Sequence, residues 1–288
     1  FISFHPKGSP HNVDGHVRMD IGHQVRAMDL GMRVVASYPE WKNTPIILGE
    51  SDPEGCAACK GPQNQYRNGP LYGVSVAEAI ALANELSWRN GVTLKGAVTW
   101  ALEFENQPLF AGLRSLATGG KADGRNYLVD KAVLNVFRMM GMMGGQYVAV
   151  TDSGALPVEQ VLKESVRGAP DVNAVATRSK HEVDVLLWNY HDDNVAAAAA
   201  KVSLEVNAVP SQGVRVQRFL MDSDHSNAYA VWQKMGSPAQ PTAAQFVQLQ
   251  RAGQLVSLAP TALSTQDGRV TIPLELKRQG VMLVRLSW

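Results

Sequence analysis

The sequence predicts an α/β fold followed by an all-β fold, on the strength of three observations. In residues 1–145, short apolar runs alternate with longer stretches of helical periodicity, as in βα units that build a parallel sheet. In residues 146–288, apolar residues recur with a period of two in short runs separated by turns, which is typical of a β-sandwich. The chain has 288 residues, 45% of them hydrophobic and 18% charged, which is enough for two folded parts of ordinary size.

Three strand-and-helix units are predicted in the first half. Each strand is a short apolar run bounded by turn residues, and apolar residues at helical spacing from Ile21 to Val35 predict the first helix. Ser75, with Glu78 three residues later, matches a capping box that would begin the second helix, and Gly91 would end it. In chain order the predicted elements are a strand at Phe1–Phe4, a helix at Val17–Ser37, a strand at Pro45–Gly49, a helix at Ser75–Trp88, a strand at Leu94–Trp100 and a helix at Leu128–Met143.

Short strands dominate the second half. They are predicted at Tyr147–Thr151, Val172–Arg178, Val183–Tyr190, Lys201–Ala208, Val214–Asp222, Arg269–Leu276 and Val281–Ser287. One helix is predicted at Thr242–Ala252, because Thr242 follows a proline and can cap it. The boundary is expected near Gly144–Pro157, which divides the chain into domains at residues 1–145 and 146–288.

Composition limits the partners. Lys and Arg number 27 and Asp and Glu 26, so the formal charge of +1 offers no basic excess for nucleic acid. No apolar run approaches the roughly 20 residues that cross a bilayer, so no membrane partner is expected. Two cysteines, Cys56 and Cys59, lie in a loop rich in Gly and Pro, where a loop disulfide, two inert thiols and a redox pair all stay open. The compartment stays open between secreted, periplasmic and cytoplasmic.

Chemically useful side chains follow the end of each predicted strand. They are His5 and Lys7 after the first strand, Glu50 after the second, and Trp100, Glu103 and Glu105 around the end of the third. The carboxyl ends of parallel strands meet at one rim, so these groups are expected to converge there. Carboxylates, a cation and an indole together are suited to binding a sugar ring and stabilising positive charge on it.

Glu50 is the first candidate for a nucleophile. A carboxylate at the tip of an apolar strand is fixed in place and could attack an anomeric carbon. The alternative is that Glu50 caps a loop or pairs with Lys7. His5 could donate a hydrogen bond to Glu50 and keep its pKa low, and Trp100 could stack on a sugar face. One of the two glutamates after the third strand is expected to face the cleft, because both lie on the same side of an extended segment.

No metal or cofactor is predicted. Asp52 and Glu54 are expected to form hydrogen bonds within their loop. Three histidines, His11, His16 and His23, do not share one helix face and have no matching carboxylates, so they do not predict a metal site. The sequence also has no glycine-rich nucleotide-binding motif after a strand and no nucleophilic serine motif.

Four segments in the same order resemble glycoside hydrolase family 39. They are FISFHPKG, PIILGESDPEG, TWALEFENQP and, far downstream, DSDHSNAYAVWQKMGSPAQPTAAQFVQLQRAGQL. Within that family they look most like bacterial β-xylosidases and, more distantly, α-L-iduronidases. The resemblance implies a (β/α)8 barrel followed by a β-sandwich. It places Phe1 at the start of the sixth barrel strand, so the chain is expected to be a C-terminal fragment holding strands six to eight.

The resemblance also implies roles for individual residues. Glu50 matches the catalytic nucleophile, and His5 and Lys7 match substrate-contacting positions. Glu105 matches an acidic sugar-binding position, and Arg114 matches a further contact in the iduronidases. The general acid/base of the family is a Glu in an Asn-Glu-Pro motif, which does not occur in these 288 residues. The chain alone is therefore expected to be nearly inactive.

The function these features predict is a retaining, exo-acting β-xylosidase that releases xylose from xylo-oligosaccharides. One alternative is an iduronidase-like or other specificity of the same family, because Lys7 could pair with a uronate carboxylate. Another is a carbohydrate-binding or structural module whose active part is the sandwich, where His225 and Trp232 are the residues to examine. No cofactor is expected, and self-association into a homo-oligomer stays open.

Overall fold

The first part of the chain is built around a three-stranded parallel sheet. The computed structural model describes residues 1–99, 101–210 and 213–288. The elements of this part are β1 (Ile2–Phe4), β2 (His11–Val13), β3 (His16–Arg18), α1 (Ile21–Ala36), β4 (Ile46–Leu48), a 3-10 helix at Pro62–Asn68, α2 (Pro70–Asn90), β5 (Leu94–Ala97), β6 (Ala117–Ala122), β7 (Arg125–Asp130) and α3 (Ala132–Met142). The sheet order is β1-β4-β5, with Phe4 opposite Leu48 and Leu48 opposite Ala97. The three strands therefore end at the same edge.

The first helix begins later than its periodicity predicts. Residues 11–18 form the β2–β3 hairpin, and Arg18 donates hydrogen bonds of 2.6 and 3.0 Å to the carboxylate of Asp193. This contact with the second part of the chain holds residue 18 in a strand, so α1 begins at Ile21. Its predicted apolar face is confirmed, because Val25, Met28 and Met32 are fully buried.

The predicted capping box of α2 is wrong. The helix begins at Pro70, whose fixed φ suits a first turn, and Ser75 lies inside it with its hydroxyl donating to the carbonyl of Tyr72 at 2.8 Å. Glu78 points away from the helix start and accepts a hydrogen bond from the indole of Trp188. The predicted end at Gly91 is confirmed, since that residue adopts a left-handed φ of 62°.

The sequence analysis also missed the β6–β7 hairpin. The pairing runs from Ala117 opposite Asp130 to Ala122 opposite Arg125, so Leu128 lies in a strand and α3 begins at Ala132. Asp123 and Gly124 form the turn with φ values of 47° and 71°. An Asp-Gly pair is a strong signal for a two-residue hairpin turn, and it could have identified this element.

The second part of the chain contains two antiparallel sheets. Its elements are β8 (Gln146–Val148), α4 (Val158–Glu164), β9 (Asp171–Arg178), β10 (Glu182–Tyr190), β11 (Ala200–Asn207), β12 (Val214–Met221), α5 (Ala228–Lys234), α6 (Ala243–Gly253), β13 (Val256–Leu263), β14 (Arg269–Leu276) and β15 (Val281–Ser287). One sheet has six strands in the order β13-β12-β15-β10-β9-β8, and β11 pairs with β14 in the other. All seven predicted strands are present, with ends shifted by a few residues at most.

Three elements of the second part were not predicted. Strand β13 contains Pro260, which interrupts the signal of a strand and is tolerated because β13 lies at the edge of its sheet. Helices α4 and α5 have only 7 residues each, too few to establish a helical period. The predicted helix at Thr242 is confirmed, with Thr242 and Gln245 forming a capping box.

The six-stranded sheet is covered on both faces. On β10, Val183, Val185 and Leu187 share a core with apolar side chains of β11 and β14. The alternate residues Trp188 and Tyr190 belong instead to the core that contains α1, α2 and α3. Successive side chains of a strand point to opposite faces, so this one strand connects the two cores.

A buried acidic cluster lies where α2 meets this sheet. Burial raises the pKa of Glu78 well above its usual range, and the facing carboxylates of Asp171 and Asp192 raise it further. Burial also raises the pKa of Asp171. The folded chain thus holds a proton that the unfolded chain releases near its ordinary pKa of about 4.3. Stability contributed by this proton is present below that pH and is lost as pH rises toward the folded pKa.

Replacing Glu78 by Gln is expected to flatten this pH dependence. The amide keeps an acceptor for Trp188 and cannot ionise, so Glu78→Gln should match the wild type at pH 4 and melt a few degrees higher at pH 8. Thermal unfolding across this range measures the difference. Glu40→Gln, at an exposed position, is the control and should parallel the wild type. Equal slopes for Glu78→Gln and the wild type would show that folding does not raise the pKa of Glu78.

Candidate active site

Hydrogen bonds between the loops hold the three strand ends of the parallel sheet together. The amide of Gly49 donates to the carbonyl of Phe4 at 2.9 Å, and the amide of Ser51 donates to the carbonyl of Val98 at 2.9 Å. These bonds extend the pairing of the strands into the segments that follow them. The backbone at Phe4, Gly49, Ser51 and Val98 is thereby held at one rim, where the side chains of Lys7 and Glu50 meet.

Glu50 is at the centre of this rim. Its backbone adopts a left-handed φ of 40°, an unfavourable conformation for a residue with a side chain. Its Oε2 accepts hydrogen bonds from Lys7 Nζ at 2.8 Å and Arg114 Nη2 at 3.3 Å. The side chain keeps 28% of its surface exposed. Glu50 therefore pairs with Lys7, as the alternative interpretation expected, and is still open to solvent.

Three neighbouring positive groups favour the ionised form of Glu50. The hydrogen bond from Lys7 lowers the pKa of Glu50, and the charges of Lys7, Arg114 and His5 lower it further. A carboxylate with a lowered pKa is suited to attack or to electrostatic stabilisation and is unsuited to donating a proton. In contrast to the expectation for His5, its imidazole makes no hydrogen bond to Glu50 among the bonds of the described residues.

Asp52 holds the two cations that flank Glu50. Its side chain is fully buried, and its Oδ2 lies 3.5 Å from Lys7 Nζ and 3.4 Å from Arg114 Nη1. Its Oδ1 accepts hydrogen bonds from the hydroxyls of Tyr72, at 3.3 Å, and Thr99. The contacts of Asp52 thus extend beyond its own loop to α2 and to the segments that follow β1 and β5. The sequence signal for this role is the spacing of acids in GESDPEG, where a second carboxylate follows Glu50 by two residues.

Arg114 is the most enclosed of these cations, with 1% of its side chain exposed. Its guanidinium reaches Glu50, Asp52 and the carbonyl of Glu54. Lys131 supports the same loop, because its Nζ donates to the carbonyl of Leu113 at 2.7 Å. Burial and, to a smaller extent, the charge of Arg67 together lower the pKa of Lys131 to about 7. A network of buried basic side chains thus supports one side of Glu50.

Glu103 and Glu105 form no hydrogen bond with Glu50 in the described part of the chain. Trp100 falls outside the described residues. Glu103 packs against Gly119 of β6, and burial together with the neighbouring charge of Glu105 raises the pKa of Glu103. Glu105 is exposed. In the described chain, neither glutamate forms an ion pair with Lys7 or Arg114.

The two residues singled out in the second part make local contacts. His225 Nδ1 lies 2.9 Å from Asp222 Oδ1 in the same turn. Trp232 donates its indole N–H to the carbonyl of Pro238 at 3.0 Å, and its ring centroid is 5.2 Å from that of Phe110. Their contacts are with residues other than the groups around Glu50, so neither side chain belongs to the rim.

Neither a metal-binding cluster nor a membrane-spanning helix occurs in the described residues. Across residues 1–99, 101–210 and 213–288, no three His, Cys, Asp or Glu side chains come close enough to share a metal ion. Within these residues, no helix combines the length and the apolar character needed to cross a membrane.

A family model matches most of this chain. The model described as Glycosyl hydrolases family 39 covers residues 1–271. The chain belongs to glycosyl hydrolase family 39. The resemblance inferred from the four sequence segments is confirmed.

Known relatives of this family 39 chain include the α-L-iduronidases of two mammals. The α-L-iduronidase of Mus musculus is 24% identical over 99% of this chain and 45% of its own length, and that of Canis lupus familiaris is 24% identical over 99% and 43%. This family 39 chain therefore spans about half the length of the curated relatives it matches.

Solved structures show the same fold. A bacterial orthologue of human α-L-iduronidase superposes with a TM-score of 0.79 at 17% identity, covering 99% of this chain and 48% of that one. A monomeric β-xylosidase from Caulobacter crescentus superposes with a TM-score of 0.69 at 15% identity, covering 99% and 55%. The mixed α/β architecture of this chain is therefore the one expected for a member of family 39.

Proposed function

We propose that this chain carries the nucleophile of a retaining glycoside hydrolase and that the nucleophile is Glu50. The observation that carries the proposal is an ionised, partly exposed carboxylate fixed at a strand tip by Lys7 and Arg114. Membership of glycosyl hydrolase family 39 supports glycoside hydrolysis as the reaction in which this carboxylate takes part. Lys7 and Arg114 both bind Oε2 of the Glu50 carboxylate. The other oxygen, Oε1, forms no hydrogen bond within the described chain and is therefore available to attack a substrate.

The proposed reaction is a double displacement. Glu50 Oε1 attacks the anomeric carbon, the glycosidic C–O bond breaks, and a glycosyl ester forms on the enzyme. Water then attacks the same carbon and releases Glu50. A second carboxyl group, about 5–5.5 Å away, must first protonate the leaving oxygen and later activate the water. Because no Asn-Glu-Pro motif occurs in these 288 residues, we propose that this group lies outside them and that the chain alone turns over unactivated glycosides poorly.

The proposed architecture follows from the same fold. Strands β1, β4 and β5 are assigned as strands six to eight of a (β/α)8 barrel, and the two antiparallel sheets as a β-sandwich, with the boundary between residues 145 and 146. The parallel order of the three strands supports the first assignment. The core shared by β10, β11 and β14 supports the second.

Two substrate classes are proposed for the whole protein. The first is a xylo-oligosaccharide from whose non-reducing end xylose is released. The second is an iduronide, which the α-L-iduronidase relatives favour and for which Lys7, 23% exposed beside Glu50, offers a cation to a uronate carboxylate. His5, Trp100 and Glu105 are proposed to contact the sugar in either case.

Covalent trapping tests the role of Glu50 without the missing acid. A 2-deoxy-2-fluoro-β-xyloside carrying dinitrophenolate needs no protonation of its leaving group, so the ester can form and persist. Intact-mass analysis of the chain should show one added fluoroxylosyl group, and peptide mapping should place it on Glu50. A label on another residue, or none with either sugar, would contradict the proposal. Repeating the experiment with an activated fluoro-iduronide identifies the preferred sugar.

Removing Lys7 should shift the pH dependence of this trapping. The hydrogen bond from Lys7 lowers the pKa of Glu50 more than any other contact, so Lys7→Met should raise that pKa. The fall in trapping rate on the acidic side of the pH profile should therefore occur at higher pH. The ionised carboxylate attacks, so trapping by the variant should be slowest relative to wild type at the acidic end. The pH profile of the trapping rate measures the shift. Lys121→Met, at an exposed position on the β6–β7 hairpin, is the matched control, and an unshifted profile for Lys7→Met would contradict the assignment.

A further inference from the structure

The loop that follows Glu50 contains a disulfide. Cys56 and Cys59 are bonded to each other, with Cα atoms 5.5 Å apart, and both residues are exposed. The sequence analysis left this pair open between a disulfide, inert thiols and a redox pair, and the function proposed above assigns it no role. The disulfide closes a short ring three residues after the buried Asp52–Pro53 segment.

The carbonyls of the two cysteines are bound by one buried guanidinium. Arg67 Nη2 donates to the carbonyl of Cys56 at 2.9 Å, and Nη1 donates to the carbonyl of Cys59 at 3.2 Å. The same Nη1 donates to the carbonyl of Gly112 at 3.1 Å, and Arg67 also forms an ion pair with Glu54. Arg67 therefore ties the disulfide loop to the segment that carries Arg114.

A second set of contacts joins the disulfide loop to Glu50. The amide of Arg114 donates to the carbonyl of Ala57, between the two cysteines, at 3.0 Å. The guanidinium of Arg114 donates to the carbonyl of Glu54 and, through Nη2, to Glu50 Oε2 at 3.3 Å. The position of Arg114 beside Glu50 thus depends on a loop conformation that the disulfide constrains.

We propose that Cys56–Cys59 is a thiol–disulfide exchange site whose redox state sets the reactivity of Glu50. A dithiol reductant attacks one exposed sulfur as its thiolate, the S–S bond breaks, and a mixed disulfide forms. The cysteine that was not attacked leaves as its thiolate, and the second thiol of the reductant then attacks the mixed disulfide and releases the cysteine that was attacked first. Two electrons and two protons pass to the cysteine pair, and the reductant leaves as its own disulfide.

Reduction removes the constraint and leaves the chain otherwise intact. The loop gains conformations in which the carbonyls of residues 56, 57 and 59 no longer meet Arg67 and Arg114, and closing a ring of this size is worth about a tenfold change in population. Arg114 then spends less time beside Glu50. The effect on Glu50 rests on the function proposed above, whereas the effect on the loop does not.

Hydrogen exchange tests the loop. The oxidised chain, the chain reduced with dithiothreitol, and the Cys56→Ser/Cys59→Ser variant are compared by mass spectrometry. Peptides covering residues 54–60 and 111–116 should exchange about tenfold faster in the reduced chain and in the variant, with peptides of β10 unchanged. Dithiothreitol should have no further effect on the variant. Equal exchange in all three samples, or alkylation of both cysteines before any reductant is added, would overturn the proposal.

Covalent trapping tests the link to Glu50. The trapping rate with the activated fluoro-glycoside should fall on reduction, by at most about tenfold, and should be equally low in the double serine variant. An unchanged rate in a chain whose loop exchanges faster would overturn the link. No trapping in the oxidised chain would overturn the proposed function and the link together, while the exchange data decide separately whether the disulfide holds the two loops.

Discussion

Glu50→Gln is expected to abolish covalent trapping by the activated fluoro-glycoside. The amide has nearly the same shape and can still accept a hydrogen bond from Lys7, but it carries no charge and cannot form the ester. With a general acid/base present to complete the site, the same change should lower kcat by about 10⁴-fold or more, because it removes the group that divides the reaction into two steps. Intact-mass analysis and steady-state rates measure the two effects.

A matched control separates chemistry from folding. Glu40→Gln makes the same substitution at an exposed position and should be trapped at the wild-type rate. The far-UV circular dichroism and melting temperature of Glu50→Gln should stay close to those of the wild type, since only a partly exposed group changes. Trapping of Glu50→Gln at the wild-type rate on another carboxylate would identify that residue as the nucleophile and rule out Glu50.

Asp52→Ala is expected to have the largest effect on stability. It removes a fully buried carboxylate from the side of Arg114, whose own side chain is 1% exposed, and leaves the hydroxyls of Tyr72 and Thr99 without their acceptor. Removing one partner of a buried pair costs about 3–5 kcal/mol, and the buried charge of Arg114 would then rely on the partly exposed carboxylate of Glu50, 3.3 Å away. Urea unfolding monitored by tryptophan fluorescence measures the free energy of unfolding.

An exposed ion pair provides the comparison. Asp224 pairs with Lys277 on the surface, where 52% and 44% of the two side chains are exposed, so Asp224→Ala should cost less than about 1 kcal/mol. Asp52→Asn tests charge separately from shape, because the amide can still accept from a hydroxyl. If Asp52→Ala and Asp224→Ala destabilise the chain equally, the buried network around Arg114 does not contribute to stability in the way the contacts indicate.

Glu50 was easier to predict from the sequence than the residues that surround it in the structure. An apolar run ending in Gly-Glu places a carboxylate at a strand tip through local pattern alone, and Lys7 follows the neighbouring strand in the same way. Asp52 and Arg114 act through contacts between segments more than 60 residues apart, and their burial is a property of the folded loops. Lys131 was not predicted as a site residue, because no neighbouring residue in the sequence indicates that its side chain reaches the carbonyl of residue 113.

Capping motifs in the sequence predicted a helix start correctly where the side chains of the motif form no contact with a residue far away in the chain. Thr242 begins its helix as its capping box indicates, because its side chain is exposed and bonds to its own helix. Ser75 and Glu78 have the same spacing, yet Trp188, 110 residues farther along, binds Glu78 in the interior. Propensity and capping signals are weak relative to the burial of an indole, so tertiary contacts decided the start of α2.

The double coverage of the six-stranded sheet limits how this protein can be divided. Cutting the polypeptide after residue 145 would uncover Trp188, Tyr190 and Leu283 along one side of the sheet, together with the carboxylates that now face Glu78. Such a large apolar patch invites aggregation. Residues 146–288 are therefore a poor choice for a portable fusion partner, and a protein engineer who needs that part should retain α2 and α3 with it.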